Sequence, residues 1–150
     1  METRIQDLAE LKTEAERLVR GLIPQSGRAT LITLAGELGA GKTALTKAIA
    51  TALGVRETVN SPTFVLEKIY LLPKELGSEA SKFQRLVHID AYRLEKGADL
   101  SAIGFDEVMS DAGNLVILEW PERVKDTLPK SDFGIALNVL PDGTRHLTYV

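Results

Sequence analysis

The sequence predicts an α/β protein whose sheet mixes parallel and antiparallel strands, and three observations carry that reading. Residues 36–43 read Gly36-Glu37-Leu38-Gly39-Ala40-Gly41-Lys42-Thr43, the spacing G-x-x-x-x-G-K-T. An apolar, β-branched run, Thr30 to Ala35, precedes this motif, and an alanine-rich run, Ala44 to Leu53, follows it and stops at Gly54. Leu115-Val116-Ile117-Leu118 is purely aliphatic, as expected of a central strand covered on both faces. Strand, glycine loop and helix in that order form a phosphate-binding P-loop unit. The expected architecture is therefore a three-layer, P-loop NTPase-like fold.

The remaining elements follow from periodicity. Thr3-Arg4-Ile5-Gln6 has capping-box spacing, and Ile5, Leu8, Leu11, Ala15, Leu18, Val19 and Leu22 recur at helical intervals. A helix over residues 4–21, packed on the sheet, is the expectation. Asn60-Ser61-Pro62-Thr63 reads as a turn into a strand from Phe64 to Tyr70. The polar segment Pro73 to Gln84 has no packing pattern and reads as an exposed loop. In Leu86 to Tyr92, Val87, Ile89 and Ala91 face one side and His88, Asp90 and Tyr92 the other, so this strand can pair with the previous one as a hairpin. Residues 97–110 hold short helical turns broken by Gly104. Ile135, Leu137 and Val139 alternate, Pro141-Asp142-Gly143 turns, and Leu147 to Val150 closes a second hairpin. No internal repeat or domain-scale linker divides residues 1–150, which read as one domain with fewer helices than a doubly wound fold.

The motif dictates its chemistry. Its glycines allow the backbone to curl so that successive N–H groups face an anion, and the following helix adds its positive end. Leu38, Gly39, Ala40, Gly41, Lys42, Thr43 and Ala44 form the expected nucleotide cradle. Lys42 is expected to reach the β- and γ-phosphates, and the Thr43 hydroxyl to bind Mg²⁺. Such a site also needs an acid for the metal. Glu119 directly follows the aliphatic strand, at the carboxyl end where α/β sheets place ligands. Strand purity favours it over Asp90, which follows a strand interrupted by His88 and becomes the second acid. Thr63 sits in a turn of the kind that brings a hydroxyl to the metal in switch proteins, although a plain turn threonine reads equally well.

Several neighbours read as structural. His88 is expected to be a packed strand residue rather than a base, and His146 to be solvated. Trp120 fits a stacking role or the core equally. Arg93 and Arg123 flank the two acidic strand ends; each could lend charge to the γ-phosphate or anchor a partner, and the surface-arginine reading is slightly favoured.

Composition narrows the classes. The chain has 150 residues, 44% hydrophobic and 26% charged, with a net charge of −3. That balance predicts no large basic surface, so any RNA role would be indirect. There are no cysteines, hence neither disulfides nor thiol-ligated metal. No apolar run approaches the roughly 18 residues of a membrane span. Residues 1–22 are too charged for a signal peptide, which leaves the cytoplasm as the expected location. An Asn-Lys-x-Asp guanine-reading motif is missing, and no arginine-rich lid of the kinase type is apparent.

Five blocks together carry a resemblance. They are the P-loop itself, Ser61-Pro62-Thr63-Phe64, His88-Ile89-Asp90-Ala91-Tyr92-Arg93-Leu94, Leu118-Glu119-Trp120-Pro121-Glu122-Arg123, and Leu128-Pro129. In this order they resemble the TsaE (YjeE) family, the ATPase subunit of bacterial tRNA threonylcarbamoyladenosine synthesis. The resemblance implies an ATPase in which Thr43 and Glu119 bind Mg²⁺, Asp90 belongs to the active site and Thr63 lies in a switch-like segment. It implies TsaB and TsaD homologues as protein partners, with tRNA met through the complex. In that scheme TsaD transfers the threonylcarbamoyl group to tRNAs reading ANN codons, and the ATP cycle resets or gates the complex. The segment between Thr63 and His88 is longer than is usual for the family. Two other functions fit the residues: a small-molecule kinase with Asp90 as base, and a nucleotide-gated binding module that does not hydrolyse ATP.

Overall fold

A computed structural model describes residues 1–57, 59, 66–73 and 82–150. Thr63, the Ser61-Pro62 turn, the start of the strand expected from Phe64, and most of the polar segment after Pro73 lie outside the described residues.

Among the described residues, seven strands form one sheet: β1 (Glu2–Ile5), β2 (Thr30–Ala35), β3 (Glu67–Leu71), β4 (Arg85–Asp90), β5 (Asn114–Glu119), β6 (Phe133–Val139) and β7 (Arg145–Tyr149). Their order is β1-β7-β6-β2-β5-β4-β3. β6, β2, β5 and β4 run parallel, and antiparallel strands flank them on both sides. The helices are α1 (Leu8–Gly21), α2 (Lys42–Ala52), α3 (Ala98–Ala102) and α4 (Phe105–Met109), with a 3₁₀ turn over Pro121–Arg123.

The parallel strands are aliphatic because both of their faces are covered. On one face α1 and α2 bury Leu18, Leu45 and Ile49 against Ile32, Leu34, Ile117 and Ile135. On the other, Leu100 and Phe105 of the short helices pack on Leu31, Val87, Ile89, Val116 and Leu118. These are the three layers the sequence predicts. The antiparallel pair β6–β7, at the margin of the parallel strands, buries its large side chains in alternation, Ile135, Leu137 and Leu147. One helical layer over that half is sufficient, which accounts for the shortage of helices.

The amino terminus departs from expectation. Residues 2–5 are not helical but form β1, paired antiparallel with β7, Ile5 opposite Arg145. The helix starts at Leu8, and its cap is Asp7, whose Oδ1 accepts the Glu10 amide at 2.9 Å. Glu10 in turn accepts the Gln6 amide at 2.7 Å. Leu8, expected in the core, is 77% exposed. Asp7-Leu8-Ala9-Glu10 carries the same cap spacing as Thr3 to Gln6, and pairing with β7 gives the earlier residues better partners than a frayed helical turn would. Phe83, at the end of the supposed exposed loop, is also corrected, since it is buried.

Candidate nucleotide site

The loop between β2 and α2 is shaped by its glycines. Gly36, Gly39 and Gly41 have φ of 149°, 82° and 104°, in the region that side chains rarely adopt. At Gly36 a methyl would also meet the Leu137 carbonyl oxygen at 2.6 Å, so the loop starts hard against β6. Gly41 caps α2 with no side-chain partner, and Leu45 makes the first helical bond, to the Gly41 carbonyl. The amides of Lys42, Thr43 and Ala44 therefore lie in the first turn, where helical geometry provides no acceptor.

Lys42 is 5% exposed. Its Nζ donates to the carbonyls of Gly36 and Glu37, the latter at 2.9 Å, and lies 4.0 Å from the Trp120 ring centroid. Burial pushes its ammonium below the ordinary lysine value, while Glu119, Glu122 and Asp90 pull the other way.

The two acids come from neighbouring parallel strands, at register positions that pair Asp90 with Glu119. Both are buried. The Asp90 carboxylate accepts the Tyr92 amide at 3.0 Å, an Asx turn that ends β4. Glu119 meets the buried His88, whose Nε2 contacts Glu119 Oε2. A cavity of about 280 Å³ brings together Gly39, Gly41, Lys42, Thr43, Ala44, Asp90, Tyr92, Glu119 and Trp120, with Leu38 at its rim. Of the expected site residues with described positions, only Ala40 lies off this cavity. It lines a neighbouring one instead.

Three features of the site had no clear signal in the sequence. Trp120 has φ 62° and ψ 53°, strained for a large side chain, directly after Glu119. This conformation turns its ring onto Lys42 and against Tyr92, at a centroid separation of 4.9 Å. Arg123, exposed as expected, lies 5.2 Å over the Tyr92 ring. Beside Gly41, a second cavity of about 240 Å³ runs between Ile5, Leu8, Leu11, Ala44 and Arg145. Arg145 stands close enough that a methyl on Gly41 would touch its Nε at 3.4 Å. Nothing local in the sequence ties Arg145 to a loop a hundred residues away. His146, expected to be solvated, is half-buried, with Nε2 3.4 Å from the Glu2 carboxylate.

Residues 5–147 match the family described as threonylcarbamoyl adenosine biosynthesis protein TsaE. The chain belongs to the TsaE family. Its relatives include the tRNA threonylcarbamoyladenosine biosynthesis protein TsaE of Treponema pallidum, 35% identical over 95% of this chain and 93% of that one. The protein of the same name from Streptomyces coelicolor is 37% identical over 79% of this chain and 77% of its own. Among solved structures, the crystal structure of Bacillus subtilis YdiB aligns with 99% of this chain and 83% of its own, at a TM-score of 0.75 and 27% identity. The fold of the TsaE family is thus the fold here, a mixed sheet of the P-loop NTPase type.

Proposed function

We propose that this chain binds Mg²⁺-ATP and hydrolyses it as a subunit of the machinery that makes threonylcarbamoyladenosine in tRNA. TsaB and TsaD homologues are its partners, and tRNA is met through them. The observation that carries the reading is the single cavity in which Lys42 and the start of α2 face the buried pair Asp90 and Glu119. Family membership supplies the pathway.

The residues present fit the ligand. A P-loop with three left-handed glycines provides inward amides for phosphate oxygens, and Lys42 provides a desolvated cation. A hydroxyl at Thr43 and a carboxylate at Glu119 are hard oxygen donors, which suit a Mg²⁺ ion that keeps part of its water shell and takes the rest from phosphate. When bound, the metal neutralises charge on the phosphates. Asp90 serves as the second acid, placed to orient water. Thr63 completes the set on sequence grounds alone. The apolar cavity between Ile5, Leu11 and Arg145 continues from the P-loop beyond Gly41 and suits the adenosine. Residues 1–150 act as one ATPase domain in the cytoplasm. Among the described residues no helix is long and apolar enough to cross a membrane.

Phosphate release from Mg²⁺-ATP by the purified chain, alone and after adding TsaB and TsaD from the same source, tests the reading. A rise of at least about tenfold on mixing is expected. ATP binding without any rise would refute the partner-activated ATPase. Turnover that appears only with one small acceptor would instead identify a kinase.

A further inference from the structure

We propose that His88 is a positioning residue that holds the Glu119 carboxylate in place by donating a hydrogen bond from Nε2. The inference rests on the reading of Glu119 as the acid on the metal side. Its physical content is separate, because it concerns what fixes that side chain before any ligand arrives.

His88 is fully buried, two residues before the end of β4. Its Cα pairs with Ile117 on β5 and with Lys68 on β3, which makes Glu119 its diagonal neighbour on the same face of the sheet. That register lets Nε2 reach Glu119 Oε2. Among the described residues, the other ring nitrogen, Nδ1, is buried and meets no protein hydrogen-bond partner.

These two facts assign the tautomer. With the proton on Nε2, the ring donates to the carboxylate and leaves only a bare lone pair unmatched at Nδ1. With the proton on Nδ1, a lone pair would face the carboxylate oxygen and a buried N–H would be orphaned. A single arrangement leaves no buried donor unmet.

The consequence falls on Glu119. A buried carboxylate needs donors, and those it finds decide its rotamer. A lysine in place of His88 would supply one but would cancel the charge a cation site requires. Imidazole supplies a directional donor on a short, buried side chain. Held by His88, Glu119 keeps one orientation at the wall of the cavity that Lys42 and Thr43 also line.

Two substitutions separate positioning from packing. His88→Leu keeps much of the volume and removes the donor; His88→Gln returns an N–H near the position of Nε2. Nucleotide affinity measured without Mg²⁺ should stay within about threefold of wild type in both. The Mg²⁺ concentration giving half of the metal's effect on ATP affinity should rise about 10–100-fold in His88→Leu. His88→Gln should recover most of that loss. Wild-type Mg²⁺ dependence in His88→Leu would overturn the proposal. So would equal losses in both variants, which mean packing alone.

Glu119→Gln is the control for the underlying reading. If it leaves Mg²⁺ dependence unchanged, Glu119 is not on the metal side and both readings fall. If it shifts the dependence while His88→Leu does not, the positioning role alone fails. Should His88→Leu not fold, nitrogen NMR of the wild-type chain decides. The chain has two histidines, and that of His88 must carry its proton on Nε2 and respond to Glu119→Gln; a proton on Nδ1 would overturn the assignment.

Discussion

Lys42 is held by two carbonyls of its own loop and an indole face, and lies within the field of three carboxylates. Burial without such partners would favour loss of its proton, so the site keeps a cation by surrounding it with acceptors. Replacing Lys42 with alanine removes the charge-assisted contact proposed for phosphate. ATP affinity should fall by about 1.5–3 kcal/mol, roughly 10–150-fold, when titrated calorimetrically. An unchanged affinity would remove Lys42 from the phosphate site. At this scale the motif residues were legible because a P-loop is local, its spacing encoding its own geometry. Lys42's aromatic neighbours were not, because they depend on the left-handed turn at Trp120 that follows β5.

Elements here are fixed by a few side chains at their ends. Asp132, just before β6, accepts two bonds from the Arg28 guanidinium, at 3.0 and 2.7 Å, and the Leu31 amide at 2.8 Å, while its own amide donates to the Leu31 carbonyl. This clamp sets the parallel register of β2 and β6, and with it the height of the P-loop against Leu137. Arg28 first, then the Leu31 amide, hold the Asp132 carboxyl below its ordinary value, against the opposing effect of burial. For an acid with a depressed native pKa, the stabilisation is complete above the unfolded value near 3.9. It is lost as pH falls through the lower native one. Asp132→Asn should therefore cost about 1 kcal/mol at neutral pH, a figure kept small because the ion pair is solvent-screened. Denaturant melts should find that difference constant from pH 7 to about 5 and shrinking below the ordinary aspartate value. A cost that persisted undiminished at pH 2 would mean that the clamp works by shape and not charge. The amino-terminal strand is the corresponding failure of sequence reading. Ile5 satisfies a helical period with Leu8 and a strand pairing with Arg145 equally well, and the second partner is invisible to any local window.

The parallel core of the molecule could be read from its aliphatic runs, while the order of its strands could not. β2 and β5 announce themselves as buried while β4 reads only as an alternating strand, and the adjacency of the three, which brings Asp90 beside Glu119, is a property of the whole sheet. Both proposed acids and the loop lie at the carboxyl ends of these three strands, so a ligand there touches elements from across the chain. Binding that couples so many elements should stabilise the native state as a unit. At Mg²⁺-ATP one hundred times its dissociation constant, mass action adds about 2.7 kcal/mol. For a chain of this size that raises Tm by roughly 5–11 °C. Lys42→Ala at the same nucleotide concentration, with affinity reduced about a hundredfold, should gain only about 0.4 kcal/mol and shift by less than roughly 2 °C. Differential scanning calorimetry separates the two cases well beyond its error. Equal shifts in both proteins would place the nucleotide somewhere other than the β2–α2 loop, since no other consequence of losing Lys42 would leave a ligand-dependent gain untouched.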